Sequence, residues 1–311
     1  MNNIIKLLLG ISAATAAFTF SSCSDSEDNL TPSPAMPNYF EPAASDNSAE
    51  AQLRRDFYGR TGIYLLFNDT LAYYTDEYGV DRAETVDFSW NFTGDASREY
   101  SFEYIADENK ADIAARIEKY FVPYINFEGG AMKPYSITLF DKISYYNSYQ
   151  DKFNSLTFVN CWRSFGIATN DWVEIESEEE AKAMGKNLLR KFVDEKITIY
   201  SSEVEDFFDI CYDLYYSYPA AEFPDWVDDQ DITLVYEAGF LTYYPDTWDY
   251  DPEYDAFPTE TSDLRLFKDA IFNEDEAEFR EKWADYPIII LKYEILKNIL
   301  TNLGIDFNAV K

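Results

Sequence analysis

The sequence predicts an α+β fold, with a mixed α/β N-terminal half that holds a small sheet and a mainly helical C-terminal half. Short apolar runs of strand length, bounded by turn residues, occur before residue 161. Apolar residues at helical spacing, preceded by capping residues, dominate after residue 176. The chain is 47% hydrophobic and 18% aromatic, so it has enough apolar surface for a packed core.

The first 22 residues have the pattern of a lipoprotein signal peptide. Lys6 supplies a short basic region, residues 4–20 are apolar or small, and Ser21-Ser22-Cys23 follows. The pattern predicts removal of residues 1–22 and lipidation of Cys23. An ordinary signal peptide and a membrane helix are the alternatives, although the apolar stretch is near the short limit for a span.

Residues 23–51 are predicted to form a flexible tether. The acidic cluster at residues 24–28 and the Pro/Ser/Ala/Asn-rich run after it have few large apolar side chains. They therefore bury too little surface to offset the entropy lost on ordering. The acids behind Cys23 resemble the surface-export signal of Bacteroidota lipoproteins, with a solvated linker as the alternative. This resemblance implies a lipid anchor in the outer membrane at the cell surface, with residues 52–311 as a single domain.

The N-terminal half contains three predicted strands and one predicted helix. Residues 62–67 are an almost continuous apolar run, which predicts a buried strand. Residues 109–121 place apolar side chains at helical spacing, with Pro123 beyond the end. Residues 136–140 and 156–160 predict two further strands.

Four helices are predicted in the C-terminal half. Their expected limits are residues 177 to about 196, residues 202 to before Pro219, a helix from about Glu260, and residues 287–304. The first two begin with a Ser-x-x-Glu capping box. The last has proline in its first turn and glycine beyond its end. Residues 288–291 are apolar without a break, which predicts burial of that turn on nearly all sides.

Charge and composition exclude several classes of function. The chain has 58 Asp and Glu against 25 Lys and Arg, a formal net charge of −33, which opposes binding to nucleic acid. It has no histidine, so a Ser-His-Asp triad, a Cys-His dyad and an HExxH zinc site are all excluded. Cys161 and Cys211 are predicted to be two buried thiols, with a disulfide as the alternative.

Two short phrases late in the chain carry a family resemblance. Gly239-Phe240-Leu241-Thr242 and Gly304-Ile305-Asp306-Phe307, together with the order of elements, resemble the zinc-binding metallopeptidase lipoproteins of Bacteroidota that are associated with outer-membrane nutrient import. The resemblance covers residues 52–311. It implies a gluzincin-like fold and, as partners, outer-membrane import proteins.

The residues that carry this family's chemistry are replaced. Where the family has His-Glu-Phe-x-His, residues 190–194 read Arg-Lys-Phe-Val-Asp, and where it has Asn-Glu-Asp-Phe, residues 261–264 read Thr-Ser-Asp-Leu. The degenerate motif positions are Arg190, Lys191, Asp194, Ser262 and Asp263. Arginine and lysine repel Zn²⁺ and cannot ligate it, so no zinc and no catalytic residue are expected. Arg190 and Asp194 lie at i,i+4 on one helix and are expected to pair.

An acidic and aromatic segment follows the first of these phrases. Its aromatic residues are a candidate platform for sugar rings or peptide side chains, with a packed loop as the alternative: Tyr243, Tyr244, Trp248, Tyr250 and Tyr254. Its alternating acids are candidate Ca²⁺ ligands, but the glycine of an EF-hand loop is missing and a solvated loop is favoured: Asp246, Asp249, Asp251, Glu253 and Asp255.

Three functions follow from these observations. The first, which the sequence favours, is a catalytically inactive relative of the metallopeptidases that acts as a surface binding or accessory protein in nutrient uptake. The second is a glycan- or peptide-binding module without hydrolase ancestry. The third is an active hydrolase that uses carboxylates. A cleft beside the helix at residues 186–197 would favour the first function over the second.

Overall fold

The computed structural model describes residues 37–76, 78–89, 99–126, 130–217, 232–243 and 257–309. These residues are 46% helical and 18% strand in small sheets, which confirms the α+β class. Tyr39–Lys311 forms one compact unit, and of the preceding unit, Met1–Asn38, only residues 37 and 38 are described. Among the described helices, none is both long and apolar enough to span a bilayer.

The described residues contain ten α-helices, with short 3₁₀ turns between some of them. The helices are α1 (Ala49–Thr61), α2 (Lys110–Tyr120), α3 (Val122–Ile125), α4 (Asn170–Val173), α5 (Glu178–Lys196), α6 (Glu205–Asp209), α7 (Thr233–Glu237), α8 (Glu260–Asn273), α9 (Glu276–Lys282) and α10 (Pro287–Asn302). The helices predicted at residues 109–121, 177–196, from 260 and at 287–304 are confirmed as α2, α5, α8 and α10.

The same part of the chain contains nine β-strands. They are β1 (Tyr64–Leu66), β2 (Thr70–Thr75), β3 (Asp81–Thr85), β4 (Tyr100–Glu103), β5 (Ser136–Phe140), β6 (Lys142–Asn147), β7 (Lys152–Leu156), β8 (Phe158–Asn160) and β9 (Phe165–Ala168). The main sheet has the order β1-β5-β9-β8, in which β1, β5 and β9 are parallel and β8 is an antiparallel edge strand. The other two sheets, β2-β3 and β4-β6-β7, are antiparallel.

The predicted strands at residues 62–67 and 136–140 are confirmed as β1 and β5. Every residue of β1, β5 and β9 is buried, as expected for parallel strands covered on both faces. The single strand predicted at residues 156–160 is wrong, because Thr157 separates β7 from β8. At this residue the chain leaves one sheet and enters the other, so neither sheet has a continuous strand there.

Part of the segment that the sequence assigns to the tether packs against the folded unit. Phe40 is only 4% exposed, and its ring centroid lies 4.9 Å from that of Tyr135. Arg54 Nη2 donates a hydrogen bond to the Phe40 carbonyl oxygen at 2.9 Å. Helix α1 then begins at Ala49, with the Ser48 side chain as its cap. Phe40 and the residues of α1 before residue 52 therefore belong to the compact unit Tyr39–Lys311.

Two further expectations about the C-terminal half are wrong. Residues 202–217 do not form one capped helix: 3₁₀ turns at Ser202–Val204 and Tyr212–Leu214 flank the five-residue α6, and no serine side chain caps the first turn. Phe207 and Cys211 are both buried in this arrangement of short turns, without a continuous ladder of helical hydrogen bonds. The turn at residues 288–291 of α10 is not buried on all sides: Ile289 is fully buried, but Leu291 is 47% exposed. Two residues apart on a helix, these side chains point in different directions.

The main core lies between the four-stranded sheet and helices α2, α5, α8 and α10. Helix α5 is fixed at its centre by Phe192, which is fully buried. The Phe192 ring centroid lies 4.7 Å from that of Phe165 in β9 and 5.9 Å from that of Phe121. This packing determines which residues of α5 face the neighbouring helix and which face the edge of the sheet.

Candidate functional site

Helix α5 carries three of the degenerate motif residues, and its local sequence explains its position. The Ser177 side chain accepts a hydrogen bond from the Glu180 N–H and the Glu180 side chain accepts one from the Ser177 N–H, so the predicted capping box is confirmed. Leu188 and Phe192 are buried, while Met184 is only partly buried against the same core. Lys191 therefore projects from a different face of the helix from Phe192.

Arg190 and Asp194 form part of an ion-pair network between two helices. Arg190 Nε lies 3.6 Å from Asp194 Oδ2, so the expected i,i+4 pair is present. Arg190 Nη2 also pairs with Asp269 of α8, and Lys268 Nζ of α8 lies 2.6 Å from Asp194 Oδ1. The network thus contains two cations and two carboxylates. The sequence did not reveal Lys268 and Asp269, because their contacts cross between helices more than 70 residues apart.

This network does not fit a zinc site. Each carboxylate in it is already matched by a guanidinium or an ammonium group, and neither cationic group can ligate a metal ion. In the part of the chain that the structure describes, no group of three or more Cys, Asp and Glu side chains is placed to hold a metal ion. The chemistry available to Arg190, Asp194 and their partners is therefore ion pairing and hydrogen bonding.

A cleft of about 360 Å³ lies on the other side of α5, against the edge of the main sheet. Lys191 and Glu195 line it from the helix. Lys191 Nζ donates a hydrogen bond to Thr157 Oγ1 at 2.8 Å, between β7 and β8. The other lining residues are Tyr100, Ser155, Leu156, Phe158, Val159 and Asn160. The helix that resembles a metallopeptidase motif thus flanks a cleft.

Strand β8 lies at the edge of the main sheet as far as the described residues show. On its inner side, the Thr157 carbonyl accepts a hydrogen bond from the Ala168 N–H, and the Cys161 N–H donates to the Ser164 carbonyl. Because antiparallel pairs alternate, the N–H and C=O groups of Phe158 and Asn160 point to the outer edge. Among the described residues, no strand pairs with that edge.

The other two degenerate positions, both in α8, do not join the Arg190 network. The Ser262 N–H donates to Thr259 Oγ1 at 3.1 Å, so Ser262 belongs to the cap of α8. Asp263 is completely buried, and its Oδ2 accepts hydrogen bonds from Tyr215 Oη at 2.7 Å and from Lys292 Nζ of α10 at 2.5 Å. The motif positions therefore fall into two separate clusters.

The Asp263 cluster is dry and aromatic. Lys292 Nζ lies 4.7 to 4.9 Å from the ring centroids of Phe207, Phe240 and Phe267. Burial raises the pKa of the Asp263 carboxyl, and the positive charge of Lys292 acts in the opposite direction. Burial likewise raises the pKa of the Tyr215 hydroxyl.

The sequence analysis missed Lys292, although a signal was present. In α10 it lies next to Ile289, Tyr293 and Leu296, which are the buried face of that helix. A lysine on an apolar helical face predicts a buried partner of opposite charge, because an unpaired ammonium is too costly to bury. The identity of the partner could not be deduced, since Asp263 is one of 58 acidic residues.

The remaining expected sites are placed only in part. Both Cys161 and Cys211 are free thiols, but only Cys211 is fully buried and Cys161 is partly exposed. Of the aromatic platform, only Tyr243 lies within the described residues, as a partly buried side chain. The other four aromatic residues, the candidate Ca²⁺ ligands and Cys23 lie outside them. Comparison of the chain with protein-family models, with curated proteins and with solved structures gave no match.

Proposed function

We propose that the protein is a lipid-anchored cell-surface protein that binds extended peptides without hydrolysing them, as an accessory component of an outer-membrane nutrient-uptake system. The observation that carries this proposal is the cleft between α5 and β8. It combines an unpaired strand edge with a helix whose motif residues are engaged in ion pairs. The signal peptide before Cys23 supports the lipid anchor, and the acidic cluster at residues 24–28, which resembles a surface-export signal, supports the surface location.

The strand edge determines the class of ligand. Outward N–H and C=O groups of Phe158 and Asn160 match the backbone of an extended peptide, which adds to a sheet edge through main-chain hydrogen bonds. A sugar has no such repeating donor and acceptor pattern at strand spacing. The cleft therefore favours a peptide over a glycan.

Charge in the cleft restricts the peptide further. Lys191 stands at the cleft in a chain whose net charge is −33. Its ammonium has three donors and, within the described residues, makes one hydrogen bond, to Thr157 Oγ1. A carboxylate of a bound peptide would accept a charge-assisted hydrogen bond from it. We therefore expect a preference for an acidic side chain at the position of Lys191, whereas Glu195, which also lines the cleft, disfavours an acid at its own position.

The residues around the cleft support binding rather than hydrolysis. Arg190 and Asp194, which stand where the metallopeptidases have their two histidines, are held in the network with α8. Lys191 stands where those enzymes have the glutamate base, and a charged lysine cannot accept a proton. None of these side chains supplies a nucleophile or activates a water molecule.

Replacing Lys191 with glutamate is expected to weaken peptide binding about tenfold or more, because a charge-assisted hydrogen bond is lost and a like charge is introduced. The probe is a fluorescein-labelled peptide of alternating valine and glutamate, and the measurement is fluorescence anisotropy. Lys186→Glu is the matched control, since Lys186 is exposed on the same helix and does not line the cleft. Equal affinities for the two variants, or equal binding of a backbone N-methylated probe, would refute the site.

Replacing Cys23 with alanine is expected to abolish acylation and to release the protein from the membrane fraction, because no other anchor is proposed. Fractionation of cells followed by immunoblotting measures this. External protease treatment of intact cells tests the surface location separately. A Cys23→Ala variant that remains in the membrane fraction as the native protein does would contradict the lipid anchor.

A further inference from the structure

Among the ion pairs of the described residues, the pair formed by Lys292 and Asp263 is the most enclosed. Both side chains have 0% exposure, and Lys292 Nζ lies 2.5 Å from Asp263 Oδ2. The surrounding phenylalanine rings exclude water from the pair. We propose that Lys292 and Asp263 are joined by an intramolecular isopeptide bond between Nζ and Cγ, which links α10 covalently to α8.

The hydrogen-bond inventory of the cluster fits an amide better than an ion pair. An ammonium has three donors, but its polar acceptors in the described residues are only Asp263 Oδ2 and, at 3.6 Å, Cys211 Sγ. Asp263 Oδ1 is buried and has no hydrogen-bond partner in that part of the chain. Within the described residues, the ion pair therefore leaves one ammonium N–H that faces only aromatic rings and one carboxylate oxygen without a hydrogen-bond partner.

An amide in the same place has every group matched. Its carbonyl oxygen, the present Oδ2, accepts the hydrogen bond from Tyr215 Oη at 2.7 Å. Its single N–H points to Cys211 Sγ, whose own S–H donates to the Ala238 carbonyl. The oxygen without a partner, Oδ1, is the atom that leaves. Once Oδ1 has left, the amide carbonyl and the amide N–H each have one partner in the cluster.

Burial also favours the neutral forms that react. The buried carboxylate loses its hydration in this site, which favours the form of the pair in which Asp263 carries the proton. Consistent with this, burial raises the pKa of the Asp263 carboxyl even though Lys292 opposes the shift. That form has a neutral amine with a nucleophilic lone pair beside a neutral carboxylic acid.

The bond forms by loss of water. Nζ attacks Cγ, which is within contact distance because it is bonded to Oδ2, and an N–C bond forms. The Tyr215 hydroxyl, hydrogen-bonded to Oδ2, stabilises negative charge on that oxygen in the tetrahedral intermediate. The C–Oδ1 bond then breaks, and Oδ1 departs as water with two protons that both come from the former ammonium: one passes to the carboxyl group before the attack, and one passes from Nζ in the tetrahedral intermediate, where Nζ and Oδ1 are bonded to the same carbon. No oxidant, reductant or co-reactant is needed.

The cross-link would restrict the C-terminal part of the chain. Asp263 and Lys292 are 29 residues apart, and the closed loop contains the whole of α9. A covalent loop of this kind stabilises the folded state mainly by lowering the entropy of the unfolded chain. A cross-link of this kind would help a protein that is exposed to proteases outside the cell, as the proposed function requires. Formation of the cross-link does not depend on that location.

Mass spectrometry of the native full-length protein tests the cross-link. After denaturation and trypsin digestion, the peptide of residues 197–265 is expected joined to that of residues 283–297, with a mass lower than their sum by one water molecule. Trypsin should not cleave after Lys292, because an acylated lysine is not a substrate. Recovery of residues 197–265, 283–292 and 293–297 as separate peptides in full yield would show an ion pair and overturn the proposal.

Three variants assign the bond to these residues. Lys292→Arg keeps the charge but has no nucleophilic amine, so the joined peptide is expected to disappear, whereas the matched control Lys297→Arg should retain it. Tyr215→Phe is expected to slow formation of the joined peptide about 100-fold in freshly synthesised protein, because the proton donor is lost. A joined peptide in Lys292→Arg would overturn the assignment to Lys292, and an unchanged rate in Tyr215→Phe would overturn the role of Tyr215.

Discussion

Replacing Asp263 with alanine is expected to lower the free energy of unfolding by about 3–5 kcal/mol, the usual cost of removing one partner of a buried charged pair. Lys292 has 0% exposure and would lose its carboxylate partner while remaining inside the aromatic cluster. The loss is expected whether the pair is ionic or covalent. The measurement is urea-induced unfolding followed by circular dichroism, with the midpoint and slope both determined.

Asp269→Ala is the matched control for this prediction, since Asp269 lies on the same helix in a partly exposed ion pair with Arg190. Its cost is expected to be about 1 kcal/mol or less, because water screens such a pair. Replacing both buried partners, as Asp263→Leu with Lys292→Met, removes the uncompensated ammonium and should cost less than Asp263→Ala, while the stabilisation from the cross-link is absent in both variants. Equal costs for Asp263→Ala and Asp269→Ala would show that the buried cluster has no special role.

Replacing Gly185 with alanine is expected to lower the free energy of unfolding by about 3 kcal/mol, at the upper end of the usual cost of overpacking. A Cβ at this position would lie 2.0 Å from the Tyr120 carbonyl oxygen and 2.8 Å from its carbonyl carbon. These are backbone atoms of α2, so no side-chain rotation relieves the overlap and α5 must move away. The higher helix propensity of alanine recovers only about 1 kcal/mol.

Gly59→Ala provides the control for the close approach at Gly185. Gly59 also lies within a helix, α1, but no heavy atom lies within 4 Å of the position that its Cβ would occupy. This substitution is therefore expected to raise the free energy of unfolding by about 0.5–1 kcal/mol. If Gly185→Ala also stabilised the protein, the contact between α2 and α5 would not be as close as described.

Features that depend on neighbouring residues in the chain could be predicted from the sequence. The capping box at Ser177, the proline that begins α10 and the glycine after its end are local signals, and each marks a helix limit. The pair of Arg190 and Asp194 is likewise set by one helical turn. Strands β1 and β5 were found because their burial on both faces gives continuous apolar runs.

Features that depend on contacts between distant elements could not be predicted. Lys268 and Asp269 reach the motif helix only because α8 packs against α5. The partner of Lys292 depends on how α10 lies against α8, and no periodicity encodes that choice. The segment 202–217 has a helical pattern, but packing of its aromatic side chains breaks it into short turns.

The proposed function separates binding from cleavage, and one measurement addresses both. The full-length protein is incubated with the valine–glutamate peptide, the complex is isolated by gel filtration, and the peptide in it is analysed by mass spectrometry. We expect the peptide to be recovered with the protein and at its full length, because the cleft offers a strand edge and Lys191 but no residue that activates water. Recovery of cleaved fragments, or of no peptide with the protein, would contradict the proposed function.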